Sequence, residues 1–296
     1  MAQERPRLST AAAWVAMIAI GLGWGTTQLL SKVIVSGGHH PVGITLTGTI
    51  LGAVIVSAVL IGTGRRLPLR RRDLIFYMVC GLLGTALPNS VSYFAYQELS
   101  VGVISILMAL VPMTTLLGAL VLGLERLQWV RMAGLTLGAG AVLLLVVPKA
   151  SLPDPDQAIW ITLPVITVLA YSAENLYIAS ARRTDLDPLQ VLCGLFWGAL
   201  IWLLPVAAGM NAWMGLGRFD VSEWALIATT FLHIGAYGGF VWLIGRAGPV
   251  FAAQVGYVVT LTGVFLGMAV LCEGHSGWVW LSLVAMLTGL TLVQPR

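Results

Sequence analysis

Long apolar runs of similar length alternate along the chain with short polar joins. Ten candidate spans lie at 12–35, 43–62, 74–96, 101–122, 128–147, 158–180, 189–208, 223–244, 250–271 and 278–293. Each is near the roughly 20 residues that a helix needs to cross a bilayer. The joins include "SGGHHP", "GTGRRLPLRRR", "PKASLPDPDQ" and "RRTDLDP", with the glycine, proline and charge of turns. The runs are too long for barrel strands and lack steady two-residue alternation. The pattern predicts an all-α polytopic membrane protein with ten transmembrane helices. The opening "MAQERPRLST" leads straight into the first run without a clear cleavage site, so that run reads as a retained helix.

Composition agrees: 58% of the residues are hydrophobic and only 9% charged, where soluble domains carry about 25%. The net charge of +4 does not imply nucleic acid, because the basic residues fall in short joins. With the N-terminus in the cytoplasm, Arg5, Arg7, Arg65, Arg66, Arg70, Arg71, Arg72, Arg126, Arg131, Arg182, Arg183, Arg246 and Arg296 share that side. Lys149 and Arg218 face out, and Lys32 sits near the outer end of the first span. The positive-inside rule therefore predicts both termini in the cytoplasm. Cys80, Cys193 and Cys272 are scattered without metal spacing and read as packed thiols. His39 and His40 lie in a join and need not bind metal.

A shift of half the chain places Glu125 on Glu273. Each closes an apolar run, "LLGALVLGLE" and "LTGVFLGMAVLCE", and Trp129 and Trp278 follow. The same shift brings spans one to five onto spans six to ten. The expected organisation is a first five-helix repeat over 1–148 and a second over 149–296. Five is odd, so the second enters the membrane in the opposite sense, a construction common in alternating-access transporters. Small residues four apart, at Gly21/Gly25, Gly48/Gly52, Gly134/Gly138, Gly194/Gly198, Gly235/Gly239 and Gly263/Gly267, suit close helix crossings. Pro112 should kink the fourth span, and the ninth has only Thr260 at the matching place.

Polar side chains within the runs should point inward, toward protein or water. Tyr171 and Asn175 share a face of the sixth span, with Glu174 beside them. Asn89, Tyr93 and Tyr96 form a stripe after Pro88. His233 and Tyr237 are a turn apart on the eighth span, Gln254 and Tyr257 share a face of the ninth, and Trp24, Gln28 and Ser31 share one on the first. A cavity of aromatics, amides and hydroxyls is expected. Glu174 is a candidate proton carrier or ammonium partner, or else a lock to an amide, a hydroxyl or Lys32. His233 could carry a proton or simply pack. Lys32 could snorkel outward or meet a carboxylate. Glu125 and Glu273 suit capping or gating by contact with nearby basic groups. No Walker loop, dinucleotide fingerprint, zinc-protease motif or nucleophile elbow is present, so neither an enzyme nor a cofactor is expected.

The stretches "GLGWGTT", "ELSVGVISILMALVPMTTLLGALVLGLE" and its echo "RAGPVFAAQVGYVVTLTGVFLGMAVLCE" resemble the drug/metabolite transporter superfamily, specifically its EamA-type ten-helix exporters. Within it the chain is similar to the YddG-type amino-acid exporters, aromatic ones included. The resemblance implies two inverted five-helix repeats, cytoplasmic termini, a bacterial inner-membrane location and export of small metabolites. It also implies a central cavity between the first, third, fourth and sixth helices and their counterparts, which suits Trp24, Asn89, Tyr93, Tyr171 and Asn175. The expected function is amino-acid export by alternating access, with Glu174, His233, Tyr237 and Tyr257 as further binding residues. Alternatives are export of other metabolites or lipophilic cations, and a non-transporting bundle. The expected partners are the substrate and membrane lipid. Two halves that complete each other within one chain predict a functional monomer.

Overall fold

The computed structural model describes residues 9–146, 155–181, 186–247, 252 and 254–293. Arg5, Arg7, Lys149, Arg182, Arg183 and Arg296, on which part of the charge asymmetry rests, lie outside the described residues, as does the boundary between the halves. The helices are α1 (Thr10–Ser36), α2 (Pro41–Gly62), α3 (Arg71–Gly81), α4 (Leu87–Glu98), α5 (Val101–Met108), α6 (Val111–Val121), α7 (Trp129–Val146), α8 (Thr162–Ala181), α9 (Pro188–Met210), α10 (Val221–Ala247), α11 (Val255–Leu271) and α12 (Gly277–Val293). Among the described residues, seven helical runs are long and apolar enough to cross a membrane. Two of these runs join α3 to α4 and α5 to α6. The apolar helices at Trp129–Leu145, Val255–Leu271 and Gly277–Leu292 are shorter than that length. These are the expected fifth, ninth and tenth spans. Residues 250, 251 and 253 of the ninth lie outside the described residues.

Proline explains both joins. Pro112 has no N–H to offer the Met108 carbonyl one turn back, and its ring crowds that turn. The fourth run accordingly breaks between Met108 and Val111, where the Ala109 and Leu110 N–H groups reach only three residues back, at 3.2 and 3.0 Å. In the third run Pro88 follows a π-helical turn, Leu82–Ala86, in which the Leu87 N–H bonds to the Leu82 carbonyl. The inserted residue of a π-turn re-aims the side chains on either side of it. Helix α8 braces both breaks: Thr167 donates to the Pro88 carbonyl at 3.2 Å, and Ser172 to the Val111 carbonyl at 3.2 Å. Helix α11, which lacks the matching proline, runs unbroken past Thr260.

Packing crosses between the two halves of the chain. Helix α1 lies on α10 and α11, α2 and α3 on α9, α4 and α6 on α8, α5 on α11 and α7 on α12. The main buried cluster surrounds Ile104, Ile106 and Leu107 of α5 and reaches α7 and α12. Most of the glycine pairs sit at such crossings. Gly198 meets backbone: a Cβ there would strike Tyr77 and Met78 main-chain atoms, so only glycine lets α3 approach α9 this closely. Gly235 is an exception, because the space beside it is open.

Opposite ends of the bundle have opposite chemistry. At one, Arg65 pairs with Asp187 at 3.2 Å and Gln190 donates to the Arg66 carbonyl at 2.8 Å. This arginine-rich end also holds Glu125, Arg126 and Arg131. At the other, Asp220 accepts from the Ser222 hydroxyl and the Glu223 N–H before α10 begins. Those donors hold its carboxyl below the usual carboxylate range.

Candidate functional site

Hydroxyls and amides from five helical runs converge in a cavity of about 150 Å³ nearer the end opposite the arginines. Helix α1 supplies Thr27, Gln28 and Ser31, α2 supplies Thr45 and Thr49, and Thr85 comes from the π-turn. Helix α4 adds Asn89, Ser92, Tyr93 and Tyr96, α8 adds Tyr171, and α10 adds Thr229, Thr230 and His233. Among the described residues, no aspartate, glutamate, lysine or arginine lines it. The Tyr171 hydroxyl donates to Asn89 Oδ1 at 2.7 Å, Ser92 and Thr167 are 3.1 Å apart, and the Tyr96 hydroxyl donates to Gln28. These bonds tie α8 to α4 and α4 to α1 around the cavity.

A second cavity of about 500 Å³ opens toward the arginine-rich end. Its walls are mostly apolar, with Trp24, Leu116, Phe240, Val255, Val259 and Leu290, and its polar groups include Glu125, Arg131 and Asn175. Trp24 packs against Phe240 with ring centroids 5.4 Å apart, and lies 6.3 Å from His233. Met108 lines both cavities. It is the last residue before the Pro112 break, so the residue the cavities share stands where the fourth run is interrupted.

The sequence-predicted residues divide between these spaces. Asn89, Tyr93, Tyr171 and His233 line the polar cavity. Trp24 and Asn175 line the larger one, where Asn175 lies 3.5 Å from the Thr115 hydroxyl. The shared face of α8 thus presents Tyr171 to one cavity and Asn175 to the other. Tyr237 packs beside the α2–α3–α9 core and Tyr257 beside the main core, and neither lines these two cavities.

Glu174 lies outside both. Its carboxylate rests against Gly84 in the π-turn, where any Cβ would collide with it, near Cys80 and Tyr237. It makes no hydrogen bond or ion pair among the described residues. The expected lock to Lys32 does not form, because the Lys32 ammonium donates to the carbonyls of Tyr96 at 2.6 Å and Leu99 at 3.0 Å. Lys32 therefore caps the C-terminus of α4, where the helix dipole favours a cation. Glu273 does the complementary job on α5, accepting from the Val101 N–H at 2.7 Å and the Gly102 N–H at 3.1 Å. Glu125, which the half-chain shift of the sequence places on Glu273, instead pairs with Arg131 at 3.1 Å.

Residues 11–147 match the family described as the EamA-like transporter family. Over those residues, just under half of its length, the chain is similar to that family. It is a membrane transporter of small molecules and not an enzyme. The chain is 24% identical over 287 residues to the Escherichia coli (strain K12) protein described as "Uncharacterized inner membrane transporter YedA", covering 94% of this chain and 89% of that one. It is 24% identical over 200 residues to the "Probable terminal-alkyne amino-acid exporter" of Streptantibioticus cattleyicolor, 67% of this chain and 65% of that protein. A protein crystal structure superposes with a TM-score of 0.65, spanning 96% of each chain at 16% identity, a likeness of fold alone.

Several lining residues of this transporter carry no sequence signal. Thr45 and Thr49 satisfy themselves on carbonyls of their own helix, at 3.0 and 2.7 Å. A threonine so bonded is tolerated anywhere in an apolar helix, so its place in a cavity wall shows only in three dimensions.

Proposed function

We propose that the protein exports amino acids across the bacterial inner membrane by alternating access. The observation that carries this reading is the pair of cavities: one faces each end of the bundle, and they meet at Met108 beside a proline break. A solute that passes between them needs only local rearrangement at that break. The polar cavity suits a zwitterion, since neutral amides and hydroxyls can serve both its charges while excluding neither. Aromatic walls suit a variable side chain, as a YddG-type exporter, the subfamily proposed here, would need. The amino-acid exporter among the relatives supports the substrate class, and the inner-membrane relative supports the location.

The same reading takes the chain as ten spans in two inverted five-helix repeats, 1–148 and 149–296, with both termini cytoplasmic and the arginine-rich end inside. The packing supports it, because exchanging each span for the one five places on returns the main contacts between the halves. Helix α1 on α10 exchanges with α4 on α8, α1 on α11 with α6 on α8, and α3 on α9 with α2 on α10.

The test is uptake of labelled amino acids into liposomes holding the purified protein, with and without a pH gradient. Saturable uptake that unlabelled amino acids block is the expected result. Asn175→Ala and Glu174→Gln proteins that fold normally should lose most of it. Wild-type rates in both variants would remove those residues from the mechanism, and no uptake of any amino acid would overturn the substrate class.

A further inference from the structure

The two acids that end the repeats are matched in sequence but not in structure. Glu273 spends its carboxylate on backbone N–H groups at the start of α5. Glu125 caps no helix among the described residues and faces Arg131 across the join between α6 and α7. Arg131 is the more unusual partner. Its side chain is only 8% exposed, against 47% for Glu125, and only the Nη1 group is engaged by the carboxylate. The Arg131 Nε is buried with no hydrogen-bond partner among the described residues. A buried guanidinium with an unmet donor is costly unless something completes it.

Both charges line the 500 Å³ cavity, whose other walls include Trp24, Leu116, Phe240 and Val259. An ion pair at one end of an apolar chamber is complementary to one kind of solute. We infer that Arg131 and Glu125 form a loading site for amino acids with large apolar side chains, at the end that the exporter reading places in the cytoplasm. The guanidinium takes the α-carboxylate through its unmet donors, for which its planar fork is suited. Glu125 turns its carboxylate to the α-ammonium, and the side chain lies among Trp24, Phe240 and Leu116. Substrate thereby replaces the internal pair by two pairs of its own, and its apolar part leaves water. The empty site stays neutral overall, so no unpaired charge is exposed between cycles. The inference rests on the amino-acid reading and gives it a first binding stage, before passage beyond Met108 to the neutral polar cavity.

Equilibrium binding to the purified, detergent-solubilised chain tests it, with three probes: L-phenylalanine, phenethylamine, which lacks the carboxylate, and 3-phenylpropionate, which lacks the ammonium. Wild type should prefer phenylalanine to either analogue. Arg131→Gln should weaken phenylalanine by about tenfold or more, the scale of one charge-assisted contact, and leave phenethylamine nearly unchanged. Glu125→Gln should weaken phenylalanine similarly and spare 3-phenylpropionate. Should Arg131→Gln fail to fold, Arg131→Lys keeps the charge without the fork, and a drop of about threefold for phenylalanine is expected. If wild type binds phenylalanine and the folded variants bind it as well, the loading site is wrong and the exporter reading stands. If wild type binds and transports no amino acid, the exporter reading fails and this site with it.

Discussion

At the scale of single residues, the contact of Gly84 with Glu174 brings an acid against a helical glycine inside the bundle. A carboxylate without a hydrogen bond, lodged against a glycine in a π-turn, depends on the missing Cβ for its place. Gly84→Leu would drive the carboxylate away or reshape the π-turn, and we expect transport to fall at least as far as in Glu174→Gln. Parallel uptake measurements on the two variants check this; a Gly84→Leu protein with wild-type rates would show that the contact is incidental. Tyr171 allows a gentler test. Removing its hydroxyl strands Asn89 Oδ1 at a site that water can reach, so Tyr171→Phe should cost about 1 kcal/mol of stability, read as a lower melting temperature in detergent. Asn89, Tyr93, Tyr171 and His233 were legible because an amide, phenol or imidazole is conspicuous in an apolar run. Arg131 was not: a basic residue just past a span satisfies the positive-inside pattern, and nothing in its spacing from Glu125 shows that it folds back into a cavity.

At the scale of elements, the corner between α4 and α5 is held by opposite charges on opposite helix ends. Lys32 serves the carbonyl end of one, and Glu273 the N–H end of the other. Each arrangement follows the helix dipole, with the cation at the C-terminus and the anion at the N-terminus. Glu273→Ala should destabilise the fold by about 1–2 kcal/mol, the usual scale of a lost N-cap, and open this end of the bundle. Increased labelling of a cysteine placed at Val101 would report the opening. His275 gives the same corner a pH dependence. It lies 3.7 Å from Glu273, and burial pushes its imidazole below the usual value despite that carboxylate. A group whose folded pKa is depressed costs stability as pH falls below its unfolded pKa, here about 6.5. Between about pH 7 and pH 5.5 the wild type should therefore lose more stability than His275→Gln. The sequence foretold a kink at Pro112, and for Glu273 a contact with basic groups where the structure has a cap on backbone N–H groups. The π-turn before Pro88 escaped it, because proline predicts that a helix is disturbed without specifying how the chain absorbs the disturbance.

At the scale of the whole molecule, two cavities of unlike chemistry share one lining residue among those described, Met108. The larger is apolar with one ion pair, and the smaller is polar and, among the described residues, lined by no carboxylate, ammonium or guanidinium. That order fits a solute that sheds water around its side chain first and is then held by neutral groups from which it can leave. Methionine suits the dividing position, since its unbranched thioether can change rotamer without leaving a rigid gap. Its place at the end of α5, beside carbonyls freed by Pro112, lets a small tilt of α5 against α6 move it. Met108→Trp should fill the passage. Uptake into liposomes should then fall by an order of magnitude or more, roughly what blocking an obligatory step implies. Each cavity should nonetheless remain reachable from its own side. Cysteines at Thr49 and Thr115, one in each cavity, read this by labelling with impermeant reagents from either face. If Met108→Trp transports normally, the route runs elsewhere than through the wall that these cavities share.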